Sequence, residues 1–257
     1  MIPPEHLWIP VTLFAAFAQT IRNATQKHLT VTLGTLGATL VRFVYGIPFA
    51  IAWLALVHVV GEFPLPVPNW PFTGWILLGA AVLTAAAFGT LGVLLMSPID
   101  RKHPLRALAR GWTSRVALLG LACGTCFSFA AVGYRGAALA LDAPYPMAAA
   151  FGLVVAQVSQ TVLLGGWLAG RAPNTVIAVM RAWRTSLLVG FAGAAASAAW
   201  FVAMAIEPIA HVRTLALVEL LFAYIISRRF FRERLTRIEL IGIALLCTGL
   251  VVVTLGR

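Results

Sequence analysis

Charge is scarce in this sequence. Asp, Glu, Lys and Arg together make up 11% of its 257 residues, and only eight residues are acidic. A water-soluble domain carries about 25% charge and about 45–50% apolar residues. Here the apolar fraction is 61% and the mean hydropathy is +0.93. One soluble core cannot hold that much apolar surface, so the solvent it calls for is lipid. A formal charge of +11 would otherwise suggest nucleic acid. The basic residues lie between apolar runs, however, where membrane topology accounts for them and no nucleic-acid partner is expected.

Cysteine is scarce too. Of three, Cys123 and Cys126 form "CGTC". That spacing can mark redox or zinc chemistry. In this case it lies inside "VALLGLACGTCFSFAAV", where small residues at i, i+3 are ordinary packing positions, and no second Cys/His pair completes a metal site. There is no G-x-x-x-x-G-K-[ST] loop, no H-E-x-x-H and no G-x-S-x-G. None of His6, His28, His58, His103 and His211 pairs at a ligand spacing. No cofactor, metal or catalytic residue is expected, and an intramembrane enzyme is the least favoured class. The opening "MIPPEHLW" has no basic n-region, so the first apolar run is expected to be a retained span.

What the chain does have is long apolar runs. A membrane helix needs about 20 mostly apolar residues. Eight candidates stand out: residues 7–21, 33–60, 73–97, 116–138, 145–170, 185–206, 209–226 and 238–255. The expected fold is therefore all-α and polytopic. "GEFPLPVPNWPF" (Gly61–Phe72) is proline-rich and reads as a loop. Trp8, Trp70 and Trp75 suit the headgroup level.

Basic residues follow the odd-numbered spans. They are Arg22 and Lys27; Arg101, Lys102, Arg106, Arg110 and Arg115; Arg171, Arg181 and Arg184; then Arg228, Arg229, Arg232, Arg234 and Arg237. The opposite side carries Arg135, Arg213 and Arg257. Cytoplasmic loops hold the excess of Lys and Arg, so both termini read as facing away from the cytoplasm. "TLGVLLMS" (Thr90–Ser97) also echoes "CTGLVVVT" (Cys247–Thr254). The echo divides the chain into a first repeat (1–97), a basic linker (98–115) and a second repeat (116–257), with three and five spans.

The stretch "VELLFAYIISRRFFRERLTRIELIGIALLCTGLVVV" (Val218–Val253) resembles the end of EamA-type members of the drug/metabolite transporter superfamily. Glu219, Phe222, Glu233, Arg234, Leu235, Ile241, Gly242, Leu245 and Gly249 stand at the family's motif positions. The resemblance implies two inverted repeats from a ten-helix fold, here shortened by two helices in the first half. It also implies an inner-membrane carrier of small organic solutes, with cytoplasmic termini. On that last point it opposes the arginine distribution, which carries more weight in our reading.

Glu219 is the residue of greatest interest. A charged group at the centre of a span costs about 2.5–3.5 kcal/mol and usually faces a cavity or a partner. An acid withdrawn from water favours its uncharged form, which is the physical basis of proton coupling. The competing reading is a structural hydrogen bond or an ion pair, with Arg42 as candidate partner. Gln19, Asn23, Tyr45, Ser128, Tyr134, Gln157, Gln160 and Trp200 are further candidates for a cavity wall; as helix-to-helix glue each polar one would contribute about 0.6 kcal/mol. Gln157 and Gln160, at i, i+3, share a helix face. Two functions follow as expectations. One is an exporter of a small metabolite or drug-like solute working by alternating access, as a homodimer or with a partner subunit. The other is a non-transporting shortened paralogue, acting as partner subunit or inert remnant.

Overall fold

The computed structural model describes residues 6–96, 115–230, 245 and 248. Its elements are helices: α1 (Trp8–Val44), α2 (Ile47–Gly61), α3 (Trp70–Met96), α4 (Arg115–Ala140), α5 (Tyr145–Arg171), α6 (Pro173–Arg181), α7 (Trp183–Ile206), α8 (Ile209–Ala216) and α9 (Val218–Phe230). No strand occurs among the described residues. Five stretches are long and apolar enough to cross a bilayer: Leu29–Gly61, Trp70–Leu91, Ala117–Ala140, Tyr145–Arg171 and Trp183–Ile206. The basic linker, the Glu233–Leu235 motif, most of the final arginine cluster and nearly all of the eighth expected span lie outside the described residues.

Large apolar side chains cover the outside. Phe14, Leu56, Leu121, Phe129, Val162 and Phe191 are all exposed. So much apolar exposure on several helices marks a lipid-facing surface rather than a local patch. The protein is accordingly an α-helical membrane protein. Over an apolar 18-residue window of each span, 56% and 61% of residues are buried in α5 and α7, against 22–28% in the other three. These two helices form the centre, and α1, α3 and α4 pack around them.

Helix α1 departs from the expected pattern. Residues 7–21 and 33–60 were read as spans with a basic loop between them. Instead the helix runs on through Arg22 and Lys27 to Leu33. The reason is local: no Gly or Pro interrupts residues 11–33, so nothing stops the i→i−4 ladder. The break comes at Gly34, with φ 70° and ψ 173°, a region open essentially to glycine alone. On a straight helix Arg22 and Arg42 would lie about 30 Å apart. Yet a methyl group built on Gly193 of α7 would meet Arg42 Cγ at 3.2 Å and Arg22 Cδ at 3.5 Å. The chain therefore folds back at Gly34 and brings both arginines to the same face of α7.

Two apolar clusters follow from this hairpin. Ala15, Ala16 and Ala18 of its first limb join Phe72, Ile76, Leu153, Trp200 and Val212. Leu36, Leu40, Val41 and Phe43 of its second limb join Leu164, Leu168, Val179 and Val189. Trp8 was expected at the headgroup level but is 3% exposed, with its ring centroid 6.5 Å from that of His211. The start of α1 packs against α8, and that contact takes the indole inside. Residues 62–69 are irregular, as the prolines dictate.

Small residues let the helices approach closely. A methyl group at Gly133 of α4 would come within 2.9 Å of Gly79 N and Trp75 O of α3. One at Gly190 would strike the Tyr45 carbonyl. Cys123 faces Gly89 in the same way, and its thiol reaches Ala86 O at 3.8 Å. That is the packing position expected for it.

Candidate functional site

A cavity of about 110 Å³ lies inside the bundle. Its polar lining comes from Gln19 and Arg22 on the first limb of α1, Arg42 on the second, Tyr134 on α4, Gln157 and Gln160 on α5, and Ser197 and Trp200 on α7. Leu83, Phe127, Leu153, Phe201 and Met204 supply apolar wall. The cavity takes residues from both limbs of α1, so it forms only when the hairpin closes against α5 and α7.

Six of the ten sequence candidates line this space: Gln19, Arg42, Tyr134, Gln157, Gln160 and Trp200. Gln157 and Gln160 share a face as their spacing predicts, and each is 3% exposed. Gln160 Nε2 donates to the Tyr134 hydroxyl at 2.6 Å. The side-chain oxygen of Gln157 is buried without a protein partner.

Glu219 does not line the cavity; it stands directly behind the wall. It occupies the first turn of α9, because the seventh expected span is divided at Leu217. A carboxylate suits the N-terminal turn of a helix, where backbone N–H groups are unpaired. Gln19 Nε2 donates to Glu219 Oε2 at 2.6 Å, and Asn23 Nδ2 donates to Oε1 at 3.0 Å. Trp200 Nε1 donates to Gln19 Oε1 at 2.9 Å. Arg22 completes the chain, giving Asn23 Oδ1 bonds of 3.2 Å from Nε and 2.8 Å from Nη2. Every link runs in one direction, towards the acid, and both carboxylate oxygens accept from amide N–H groups.

The expected Arg42–Glu219 pairing is not formed. Glu219 is held by two amides from one helix, four residues apart in sequence, while Arg42 faces the cavity from the other limb of the hairpin. Among the described residues, the one carboxylate within 4.0 Å of a basic group is Glu207, whose Oε1 lies 2.6 Å from His211 Nδ1.

The other candidates serve packing. Tyr45 donates its hydroxyl to the carbonyls of Val179 and Met180 at 3.2 and 3.3 Å, tying α1 to α6. Ser128 is exposed, and its hydroxyl bonds back to Gly124 O at 3.0 Å. Asn23 is exposed as well, meeting the site through Arg22 and Glu219.

Two arginines join the site that sequence reading counted only towards membrane topology. Arg22 was placed in the basic segment after the first span, but it is 7% exposed and lines the cavity. Its signal was present: it lies four residues beyond Ala18 and three beyond Gln19 on one continuous helical stripe. Arg213, counted as a charge of the opposite side at the start of the seventh expected span, sits on α8. Its guanidinium carbon is 4.5 Å from the Phe127 ring centroid and 5.1 Å from that of Trp200, a cation–π arrangement. Arg135 caps α7, donating to the carbonyls of Met204 and Glu207, which suits a cation at a helix C-terminus.

No protein-family model matches the chain, and neither does a curated protein or a solved structure.

Proposed function

We propose that this protein is a multi-pass carrier of the inner membrane. It moves a small organic solute by alternating access, in the export direction, as its resemblance to EamA-type transporters implies. The observation that carries this reading is the cavity: a space lined by arginine, glutamine and tyrosine inside a bundle whose outer surface is apolar. Polar and ionisable groups within a membrane bundle mark substrate or ion routes because they cost too much elsewhere. An apolar cavity of about 150 Å³ holds one benzene. At about 110 Å³, this conformation accepts a small metabolite and is too small for a drug-sized compound. Glu219 stands behind the wall as the coupling or anchoring acid. Rocking of the parts around the cavity would expose it to each side in turn.

Reconstitution tests the reading. Purified protein in liposomes with an imposed pH gradient is expected to move a solute from a panel of small metabolites faster than empty liposomes do. The Glu219→Gln variant, still folded, is expected to lose at least about tenfold of that flux, the usual scale of losing one charge-assisted bond. Unchanged flux removes Glu219 from the mechanism. If no solute moves, the non-transporting reading takes its place.

A further inference from the structure

Arginine outnumbers acid at this site. Arg22 and Arg42 line the cavity, and among the described residues no carboxylate does. Arg213 stands behind Phe127 and Trp200. Among the described residues, Glu219 is the acid that acts on Arg22 and Arg213 through its charge, and both its oxygens are occupied by amides. Three guanidiniums therefore meet one carboxylate. An unmatched cation in the membrane interior costs about 2.5–3.5 kcal/mol or more, so the excess calls for an anion.

The hydrogen-bonding groups point the same way. The Arg42 Nε is buried with no partner in the protein. Arg22 gives Nε and Nη2 to Asn23, which leaves its other terminal nitrogen free. Tyr134 accepts from Gln160, so its own hydroxyl hydrogen remains to be donated. The cavity thus presents guanidinium and phenol donors together with the apolar side chains of Leu83, Leu153, Phe201 and Met204. Guanidiniums bind carboxylate and phosphate oxygens in paired, planar geometry.

We propose that the cavity binds the oxyanion of a small organic anion, a carboxylate or a phosphate, between the guanidiniums of Arg22 and Arg42, with the apolar part of the anion against Leu153 and Phe201. Glu219 then sets the charge of the empty site by offsetting one arginine and leaving the other for the ligand. This inference rests on the carrier reading for its physiological meaning and on the cavity alone for its chemistry.

The test uses the full chain in phosphatidylcholine nanodiscs, with tryptophan fluorescence as the readout because Trp200 lines the cavity. Propionate, its neutral isostere propionamide and inorganic phosphate are titrated in turn. Propionate or phosphate is expected to bind, and propionamide to bind at least about tenfold more weakly. Arg42→Gln and Arg22→Gln are each expected to weaken anion binding by about tenfold or more, and Arg42→Lys to retain more of it. Equal binding of propionate and propionamide by the unaltered protein overturns the proposal, whether or not the arginine variants fold. So does anion binding that survives both glutamine variants, or the absence of binding by either anion in every disc. Repeating the titration with phosphatidylglycerol in the disc separates the sources. Competition by that lipid assigns the oxyanion to a headgroup, and its absence assigns it to a free solute. Binding without uptake of labelled propionate into proteoliposomes defeats the carrier reading and leaves the anion site standing. Equal uptake of propionamide and propionate does the reverse.

Discussion

Glu219 illustrates how hydrogen-bond direction constrains a residue more tightly than burial does. Its two oxygens accept from Gln19 and Asn23. Gln19 in turn is fixed by Trp200, which offers only a donor. Gln19 cannot turn its amide over without losing the indole. A glutamine at position 219 would place its own NH2 against one of these donors and leave a polar group of this part-buried network unmatched. Such a mismatch costs about 1–3 kcal/mol. Glu219→Gln is thus expected to lower the thermal midpoint in detergent. Adding Gln19→Leu to it is expected to cost less than the sum of the two single changes, because the clashing donor has gone. Full additivity in that double-mutant cycle would mean that the two side chains do not interact.

Among the elements, α1 has the greatest consequence for the site. Its hairpin exists because Gly34 takes φ 70° and ψ 173°. There is space around it, since a methyl group there meets nothing within 4 Å. Any penalty for Gly34→Ala is therefore conformational, about 1–3 kcal/mol. The expected outcome is a lower thermal midpoint together with weaker ligand binding, since Arg22 and Arg42 lie on opposite limbs. Gly124→Ala, also in open space but on regular helix, is expected to leave the midpoint unchanged or raise it slightly. Similar behaviour of the two variants would contradict the hairpin.

At the scale of the whole molecule, the apolar exterior makes lipid part of the folded state. Phe14, Leu56, Leu121 and Phe191 have no protein to bury them and are covered by acyl chains. The protein is expected to stay with membranes through alkaline carbonate washing and to leave them only with detergent. Release by carbonate alone would identify it as a peripheral protein and undo the assignment of spans. The same exterior places the arginine-lined cavity in a medium of low dielectric, where an unpaired charge attracts its counter-ion strongly.

Composition and run length by themselves determined the solvent and the class. Apolar residues at 61% with 11% charge leave only helices in lipid as a way of satisfying the backbone. The proline-rich loop and several helix ends were legible because proline and glycine act locally. The shared face of Gln157 and Gln160 was legible because helical periodicity is local as well. The sequence could not show which side chains meet across the bundle. Arg22 and Arg213 counted only as topology charges, since the positive-inside rule sums residues along the chain and is blind to helix packing and to the fold-back at Gly34. Arg42 looked like the partner of Glu219 because opposite charges attract at any drawn distance. Only tertiary structure decided that two amides hold the acid and that two arginines face a common space, because those pairings depend on where one glycine turns a helix back on itself.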